Sequence, residues 1–268
     1  MTAPVLFDRK LRRLRRERSL PGRETPFLHE FAFAELLSRL DDVKRRFTRP
    51  LLIGCTGSDW LERLTEAAGP AIATDPAVTL AAVRGGVAAD EDHLPFADAS
   101  FDLVIAVGSL DSIDDLPGAL LLIRRILRPD GMMLAALASA GSLPRLRSAM
   151  LAADAVTGGA TPRLHPSLDV RTGGDLLARA GFALPVADTR EVELSYAALP
   201  QLVSDLRAHG ATNILDRRSR TPISKAAYAA ASADFAKAGQ GGRTLESVEI
   251  LFLSGWRPVG AASTAVPS

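Results

Sequence analysis

The sequence predicts an α/β domain built on a doubly wound, mostly parallel sheet, and three observations support this prediction. Hydrophobic residues make up 47% of the 268-residue chain, which is a globular composition. Short aliphatic runs alternate with helical patterns between residues 51 and 137. A glycine-containing turn follows the first of these runs. Because parallel strands need a crossover connection, the alternation indicates a parallel sheet with helices on both faces.

The first half of the chain contains the clearest elements. Strands are expected at residues 51–54, 71–74, 86–89, 101–107 and 132–137. Helices are expected at residues 27–40, from 58 or 59 through 64, and at 77–83 and 116–127. Pro129, Asp130 and Gly131 predict a turn between the last of these helices and the last strand.

The second half is less regular and is expected to cap the carboxyl edge of the sheet. Helices are predicted at residues 143–155, 173–180, 199–208 and 224–236, and strands at 186–194 and 248–256. Thr172 is the expected N-cap of the second of these helices, and Gly181 its closing residue. We therefore divide the chain into a basic and helical segment (1–48), an α/β domain (49–258, with the cap at about 143–213) and a disordered tail (259–268).

Composition excludes several classes of function. The 32 basic and 31 acidic residues leave a net charge of +1, so no global field draws the chain to nucleic acid. The single cysteine, Cys55, excludes a disulfide framework and a multi-cysteine metal site, and it fits a reducing cytoplasm as the expected location. No apolar run is long enough to predict a transmembrane segment.

Residues Arg9–Arg18 form the one strong charge cluster. Leu11 and Leu14 lie three residues apart, as on one face of a helix. We favour a solvated helix with a narrow apolar stripe. The alternative is a basic surface that contacts an acidic partner or lipid headgroups.

The turn after the first strand is a candidate nucleotide-binding loop. Gly54 and Gly57 permit a close backbone approach, and the following helix offers free N–H groups. Asp75 follows the turn by about 20 residues, the spacing at which an acidic side chain accepts ribose hydroxyls. When the turn is considered by itself, an ordinary connection between a strand and a helix accounts for it equally well.

A third segment, residues 90–104, makes the nucleotide interpretation more specific. Asp90 can accept a hydrogen bond from an adenine amino group, and Leu94 and Phe96 can flank the ring. Taken alone, the segment is an acidic loop leading into a buried strand. The order of glycine turn, Asp75 and Asp90 is more specific than any one part.

These motifs together resemble the class I S-adenosylmethionine (SAM)-dependent methyltransferases over residues 51–137. Residues 89–96 and 126–131 are similar to the malonyl-carrier-protein methyltransferase branch of biotin synthesis. Residues 7–9, 115–117, 173–182, 203–206, 210–213 and 255–256 resemble the complex I assembly factor described as an arginine hydroxylase. The second resemblance extends from Phe7 to Trp256.

The resemblance implies a Rossmann-like sheet of seven strands, with SAM lying over the Gly54 turn. It implies a ribose contact for Asp75 and places two acidic residues near adenine. The candidate cofactor-binding residues are therefore Gly54, Thr56, Gly57, Asp75, Asp90 and Glu91.

The chain departs from the family pattern at this turn. Leu52, Thr56 and Ser58 stand where the family has an acidic residue and two glycines, and Gly57 is displaced by one position. Each added Cβ restricts the approach of a ligand to the backbone. Two interpretations follow, a changed but working SAM pocket and a site that binds SAM weakly or has lost it.

Residues for the chemical step are not evident. Methyl transfer from a sulfonium requires mainly that the enzyme position the nucleophile and exclude water. No catalytic residue is therefore assigned. His165 with Asp169 is a loose metal candidate, but an ordinary loop histidine is favoured and no metal site is predicted. Cys55 is expected to be a packed side chain. Tyr196, His209 and Asn213 in the cap can face a substrate, but a role in packing or at the surface is favoured.

Three functions remain as hypotheses. The first is a SAM-dependent methyltransferase-like enzyme acting on a small molecule or a protein side chain. The second is a respiratory complex I assembly factor that binds a complex I subunit and modifies an arginine. The third is a non-catalytic scaffold with a degenerate SAM site.

Overall fold

The computed structural model describes residues 5–19 and 25–259, and a twisted sheet runs through their centre. The strands in this part of the chain are β1 (Pro50–Ile53), β2 (Ile72–Asp75), β3 (Val87–Ala88), β4 (Phe101–Val107), β5 (Leu127–Ala138), β6 (Ala183–Tyr196) and β7 (Thr244–Trp256). They are arranged in the order β3-β2-β1-β4-β5-β7-β6. Strands β1 to β5 are parallel, whereas β7 is antiparallel to both β5 and β6. The predicted seven-stranded, mostly parallel sheet is therefore confirmed.

Helices cover both faces of this sheet. The described helices are α1 (Arg9–Arg18), α2 (Phe27–Asp41), α3 (Trp60–Ala68), α4 (Val78–Val83), α5 (Leu116–Ile126), α6 (Pro144–Thr157), α7 (Val170–Arg179), α8 (Leu199–Ala208) and α9 (Lys225–Lys237). Side chains alternate across a strand, so neighbouring residues of β1 serve different cores. Leu52 joins the core beneath α2, α3 and α4, while Leu51 and Ile53 join the core beneath α5 and α7.

The cap has a hydrophobic core of its own. Helices α6, α8 and α9 pack around Ala149, Leu202 and Phe235, and Tyr196 at the end of β6 joins them. Strands β6 and β7 pair from Ala183–Trp256 to Tyr196–Thr244, so this ladder links the sheet to the cap. Tyr196 therefore serves the packing of the cap.

Three local predictions need correction. Asp169, not Thr172, caps α7, because the Asp169 carboxylate accepts the Thr172 N–H at 2.7 Å. The predicted turn at residues 129–131 lies within the extended β5, although Asp130 adopts a left-handed φ of +61°. The basic helix α1 is not a solvated helix, because two of its arginines are buried. The tail predicted to be disordered lies outside the described residues from 260 onward.

Candidate cofactor site

Gly54 ends β1 at the carboxyl edge of the sheet, where the strand order changes direction between β1 and β4. Its N–H donates to Thr74 O at 2.9 Å, and its φ of +81° lies in the left-handed region. A Cβ at this position would lie 2.5 Å from Val107 O. Only glycine fits here without a shift of the backbone, so the turn can lie directly against the residues that end β4.

Asp75 ends β2 beside this turn and is fully buried. Its carboxylate accepts the N–H groups of Ala77 at 2.9 Å and Cys55 at 3.1 Å. Arg16 of α1 donates to both oxygens, from Nε at 3.0 Å and from Nη2 at 2.6 Å. Burial opposes the charge of Asp75, but the Arg16 guanidinium and the hydrogen bonds outweigh it and lower the pKa of Asp75.

Glu91, in the loop after β3, is also fully buried and is held in the same way. Arg12 donates to its two oxygens from Nη1 and Nη2, both at 2.8 Å. Arg12 Nε also donates to Ser112 Oγ at 3.0 Å. A bidentate pair of this kind is among the strongest side-chain interactions, and it leaves neither carboxylate oxygen free.

The outer acidic residues bind the exposed arginines of α1. Arg13 donates to Asp90 at 2.5 Å, and Arg9 contacts Asp90, Asp92 and Asp114. We call the five carboxylates the acidic groove; its members are Asp75, Asp90, Glu91, Asp92 and Asp114. Four arginines of one short helix thus lie in a groove that contains five carboxylates.

Backbone carbonyls after β4 complete the contacts of α1. Arg16 Nη1 donates to Gly108 O at 2.9 Å, and Arg12 Nη2 donates to Ser109 O at 2.7 Å. The Ser109 hydroxyl is buried and lies 3.3 Å from the position of a Cβ on Gly54. It has no hydrogen-bond partner among the described residues. A buried polar atom without a partner beside the glycine turn indicates a place for a polar ligand atom.

The remainder of the turn is occupied by side chains. Gly57 faces the ring of Trp60, since a Cβ there would lie 2.1 Å from Trp60 Nε1. Trp60 Nε1 donates to Glu30 at 2.7 Å. Thr56 is buried, and its hydroxyl lies 3.3 Å from His29 Nδ1. Packing against Trp60 is therefore sufficient reason for a glycine at residue 57.

Two neutral histidines lie beside the turn, with ring centroids 5.2 Å apart. His209 Nδ1 is 2.7 Å from Asp205 O, and its Nε2 accepts the N–H of Leu28 at 3.2 Å. These partners place the proton of His209 on Nδ1. Burial lowers the pKa of both His29 and His209, and Coulombic repulsion from His209 and Arg16 lowers the pKa of His29 further.

Two cavities lie between the groove and the cap. The smaller, of about 110 Å³, is lined by His29, Gly108, Asp111 and His209. The larger, of about 310 Å³, is lined by Asp111, Ser139 and Arg147 among others. Asp111 lines both cavities, so they are neighbours between the carboxyl end of β4 and the cap.

The remaining candidates have structural roles. Cys55 is buried, as predicted, and burial followed by the charge of Asp75 raises the pKa of its thiol to about 12. His165 Nε2 accepts the Ile214 N–H at 3.1 Å, as expected of an ordinary loop histidine. Within the described residues, no three His, Cys, Asp or Glu side chains are arranged to hold a metal ion. No helix in that same part of the chain is long and apolar enough to cross a membrane.

Sequence reasoning missed the arginines that fill the groove. Arg9, Arg12, Arg13 and Arg16 recur at helical spacing and therefore share one face of α1. That spacing is a signal for a basic face, but the sequence does not reveal its partner. The alternative interpretation of the basic run, a surface that contacts an acidic partner, is met within the chain by the acidic groove.

The sheet order, the glycine turn and the acidic residue after β2 together define a class. Residues 51–135 match the family model described as a methyltransferase domain. The solved structure of the YcgJ protein from Bacillus subtilis superposes with a TM-score of 0.57 at 14% identity, covering 84% of this chain and 99% of that one. The protein has the fold of the class I SAM-dependent methyltransferases, and the prediction of SAM as the cofactor agrees with that class.

Curated relatives define the family within this class. The protein named arginine-hydroxylase NDUFAF5, mitochondrial, from Danio rerio is 30% identical over 269 residues, which is 94% of this chain and 83% of that protein. Malonyl-[acyl-carrier protein] O-methyltransferase from Laribacter hongkongensis is 31% identical over 172 residues, which is 64% of this chain and 56% of that protein. The chain belongs to the NDUFAF5 family, a methyltransferase-like family, as the resemblance predicted.

The residues of the site fit SAM, but the position of α1 does not leave them free. Gly54 lets the turn lie close against the end of β4, the Ser109 hydroxyl lacks a partner among the described residues, and Asp75 offers a carboxylate at the expected place. Both oxygens of Asp75 and both oxygens of Glu91 are bound to arginines. An adenosine group therefore has to replace Arg12 and Arg16 in order to use these carboxylates.

Proposed function

We propose that the chain is a SAM-dependent enzyme that binds SAM at the edge formed by Gly54, Asp75 and Glu91 and acts on a small molecule or a protein side chain. The observation that carries the proposal is the buried, unpartnered Ser109 hydroxyl beside Gly54, within the described residues. Such an atom costs free energy unless a ligand satisfies it, and a folded protein retains few of them.

Each residue has a distinct part in this proposal. The two oxygens of Asp75 accept the two ribose hydroxyls, and Glu91 accepts from the adenine amino group. Gly54 allows the cofactor to approach the backbone at the end of β1. SAM supplies a methyl group on a sulfonium, and the protein contributes the position of the acceptor and the exclusion of water.

The larger cavity is the proposed acceptor site. It lies beside the carboxyl end of β5, and Asp111, Arg147 and Asn213 supply polar groups to its lining. A volume of about 310 Å³ is at the lower end of the range for small-molecule sites and also suits one long side chain. Asp111 lies between this cavity and the smaller one, where it can orient an acceptor toward the cofactor.

Calorimetric titration of SAM tests the proposed cofactor site. We expect Arg16→Gln/Asp75→Asn to bind SAM at least about tenfold more weakly than Arg16→Gln, because a hydrogen bond to a charged group is worth about 1.5 kcal/mol or more and neither form has the Arg16–Asp75 pair. Arg16→Gln/Asp175→Asn makes the same chemical change at an exposed position of α7 and should bind SAM as Arg16→Gln does. Equal affinity of Arg16→Gln and Arg16→Gln/Asp75→Asn, or no binding by any form that retains Asp75, would contradict the proposal.

A second candidate function is modification of an arginine during complex I assembly. Its support is the similarity to arginine-hydroxylase NDUFAF5 across 94% of the chain, together with a groove that binds four arginines. The test is affinity purification of the tagged chain from its native cells, with mass spectrometry of the captured proteins. A complex I subunit whose arginine gains one oxygen would favour this function, and a gain of one methylene unit would favour methyl transfer.

A location in the reducing cytoplasm is part of the proposal. It rests on the single, buried Cys55. Fractionation of native cells, followed by detection of the chain in each fraction, tests it. Recovery of the chain in a membrane-enclosed compartment would contradict this location.

A further inference from the structure

Helix α1 occupies the part of the site that a nucleotide needs. Arg12 and Arg16 are 4% and 6% exposed, and each guanidinium binds one fully buried carboxylate through two nitrogens. Each guanidinium also binds a carbonyl at the end of β4. Asp75 accepts two hydrogen bonds on each oxygen, and Glu91 is fully buried with both oxygens bound to Arg12, so α1 and an adenosine group cannot use these carboxylates at the same time.

We infer that α1 is an intramolecular plug, which competes with SAM for the acidic groove and has to leave it before SAM binds. The inference rests on the proposed function, because it concerns regulation of the same site. It assigns to the basic helix a role in controlling access to the cofactor. In this closed arrangement the chain does not accept SAM.

The contacts that hold α1 in the groove are mainly ionic. The arginines of α1 that form ion pairs lie on one side of the helix, whereas Leu14 lies on another side and is 40% exposed. The apolar contact of α1 comes from Leu11, which packs against a small cluster formed by Phe7, Ile214 and Leu215. A ten-residue helix is too short to be stable alone in water, so its order depends on the groove.

Like charges oppose the docking of the same helix. Arg15 is partly buried and has its pKa lowered, first by burial and then by the neighbouring charges of Arg18, Arg207 and Arg218. Its Nε has no hydrogen-bond partner among the described residues. The docked state therefore combines strong ion pairs with local repulsion. Such a combination suits a helix that can be displaced by a ligand.

Competition has a defined effect on affinity. If SAM binds only after α1 leaves, the apparent dissociation constant equals the intrinsic constant divided by the fraction of chains with the groove open. An open fraction of about one in a hundred would thus weaken SAM binding about a hundredfold. Weakening the plug should strengthen binding without any change in the contacts that SAM makes.

A pair of charge-matched variants tests this competition. Arg12→Gln/Arg16→Gln removes the two buried pairs, while Lys10→Gln/Arg18→Gln removes the same charge from exposed positions of α1. Lys10 and Arg18 make no ion pair within the described residues. We expect calorimetry to show SAM binding at least about tenfold tighter in the first variant than in the wild type, and unchanged in the second.

The other outcomes separate the two proposals. Equal affinity of wild type and Arg12→Gln/Arg16→Gln would overturn the plug and leave the SAM site intact. Weaker binding by that variant would also overturn it, since the arginines would then be part of the cofactor site. Failure of every form to bind SAM would overturn both the proposed function and this inference.

Hydrogen exchange on the wild-type chain provides a test that does not depend on the variants folding. Addition of SAM should speed exchange of the amides of α1 and slow exchange at the Gly54 turn. Slower exchange in both segments would mean that α1 closes over bound SAM, and this would overturn the plug. Thermal unfolding of both double variants checks that their sheets remain folded.

Discussion

Gly54 combines two restrictions in one residue. Its φ of +81° disfavours any side chain, and a Cβ would meet Val107 O at 2.5 Å. We expect Gly54→Ala to lower the free energy of unfolding by about 1–3 kcal/mol and to abolish SAM binding. Gly159→Ala is the matched control, because a Cβ there meets nothing within 4 Å. Chemical denaturation measures the stability of both variants, and calorimetry measures their SAM binding. Equal stability of the two variants would contradict this account of the turn.

The His209 ring is locked as a neutral acceptor. Its Nε2 accepts the Leu28 N–H, so protonation would set two N–H groups against each other. Burial lowers the pKa of His209 in the folded chain below 6.5, so the unfolded chain binds more protons in that window. Stability therefore falls as the pH drops below 6.5, by up to about 1.4 kcal/mol per pH unit for one such histidine.

Replacement of His209 should reduce this pH dependence. Between about pH 7.5 and 5.5, we expect the wild type to lose about 1 kcal/mol more unfolding free energy than His209→Gln. His93→Gln replaces an exposed histidine and is measured beside His209→Gln as the control. Urea denaturation at the two pH values measures the effect, and an identical slope in His209→Gln would contradict the neutral assignment.

At the scale of elements, the start of α6 depends on a strand. Leu143, before the helix, has a φ of +59° and provides no side-chain cap. Glu246 of β7 is buried and accepts the N–H groups of Arg145 at 3.2 Å and Leu146 at 2.8 Å. A carboxylate at a helix N-terminus satisfies free donors and interacts favourably with the helix dipole.

We expect Glu246→Ala to destabilise the chain by about 1–3 kcal/mol, because it leaves two N–H groups of α6 unsatisfied in a buried place. Glu193→Ala removes an exposed carboxylate from the paired strand β6 and serves as control, with an expected change below about 0.5 kcal/mol. Thermal or chemical unfolding measures both. A loss for Glu246→Ala no larger than that of the control would contradict the capping role.

The elements also show how far sequence reasoning reaches. Strands β1, β2 and β4 and helix α8 were placed within a residue, because hydrophobic periodicity is a local signal. The Asp75 position followed from spacing after the glycine turn. The burial of Arg12 and Arg16 did not follow, because their partners lie 79 and 59 residues away. A run of arginines stays in contact with solvent unless the fold places carboxylates beside it. Only the tertiary structure shows that the carboxylates lie beside α1.

At the scale of the whole molecule, α1 connects the cofactor edge to the cap. Phe7, two residues before α1, forms a bridge with Leu215 and packs on Ile214, whereas Arg12 and Arg16 reach the groove from α1 itself. Release of α1 would therefore alter the segment that leads out of the larger cavity as well as the groove. If α1 is released as we propose, access to the cofactor edge and access to the proposed acceptor cavity change together.

The groove carboxylates and the buried histidines both titrate, and we expect pH to separate the release of α1 from the effect of the histidines. Burial opposes the charge of Asp75 and Asp92, but their arginine partners and hydrogen bonds keep the pKa of each below 3.8. A carboxylate of this kind stabilises the folded state above its unfolded pKa, and the contribution is lost as the pH falls through the folded pKa. Arginine stays charged throughout, so protonation of the groove removes the attraction that holds α1.

We therefore expect acid to release α1 in a step distinct from the histidine effect. Below about pH 4, amide exchange in α1, corrected for intrinsic rate, should rise before exchange in β4 and β5, because those strands lie in the apolar core. Asp75→Asn, which cannot titrate, should show faster exchange in α1 already at neutral pH and a smaller acid-induced change. Asp175→Asn should follow the wild type. Loss of α1 and of the central strands at one common pH would mean that the groove and the core unfold as a single unit, and α1 would then be an integral part of the fold without an independent open state.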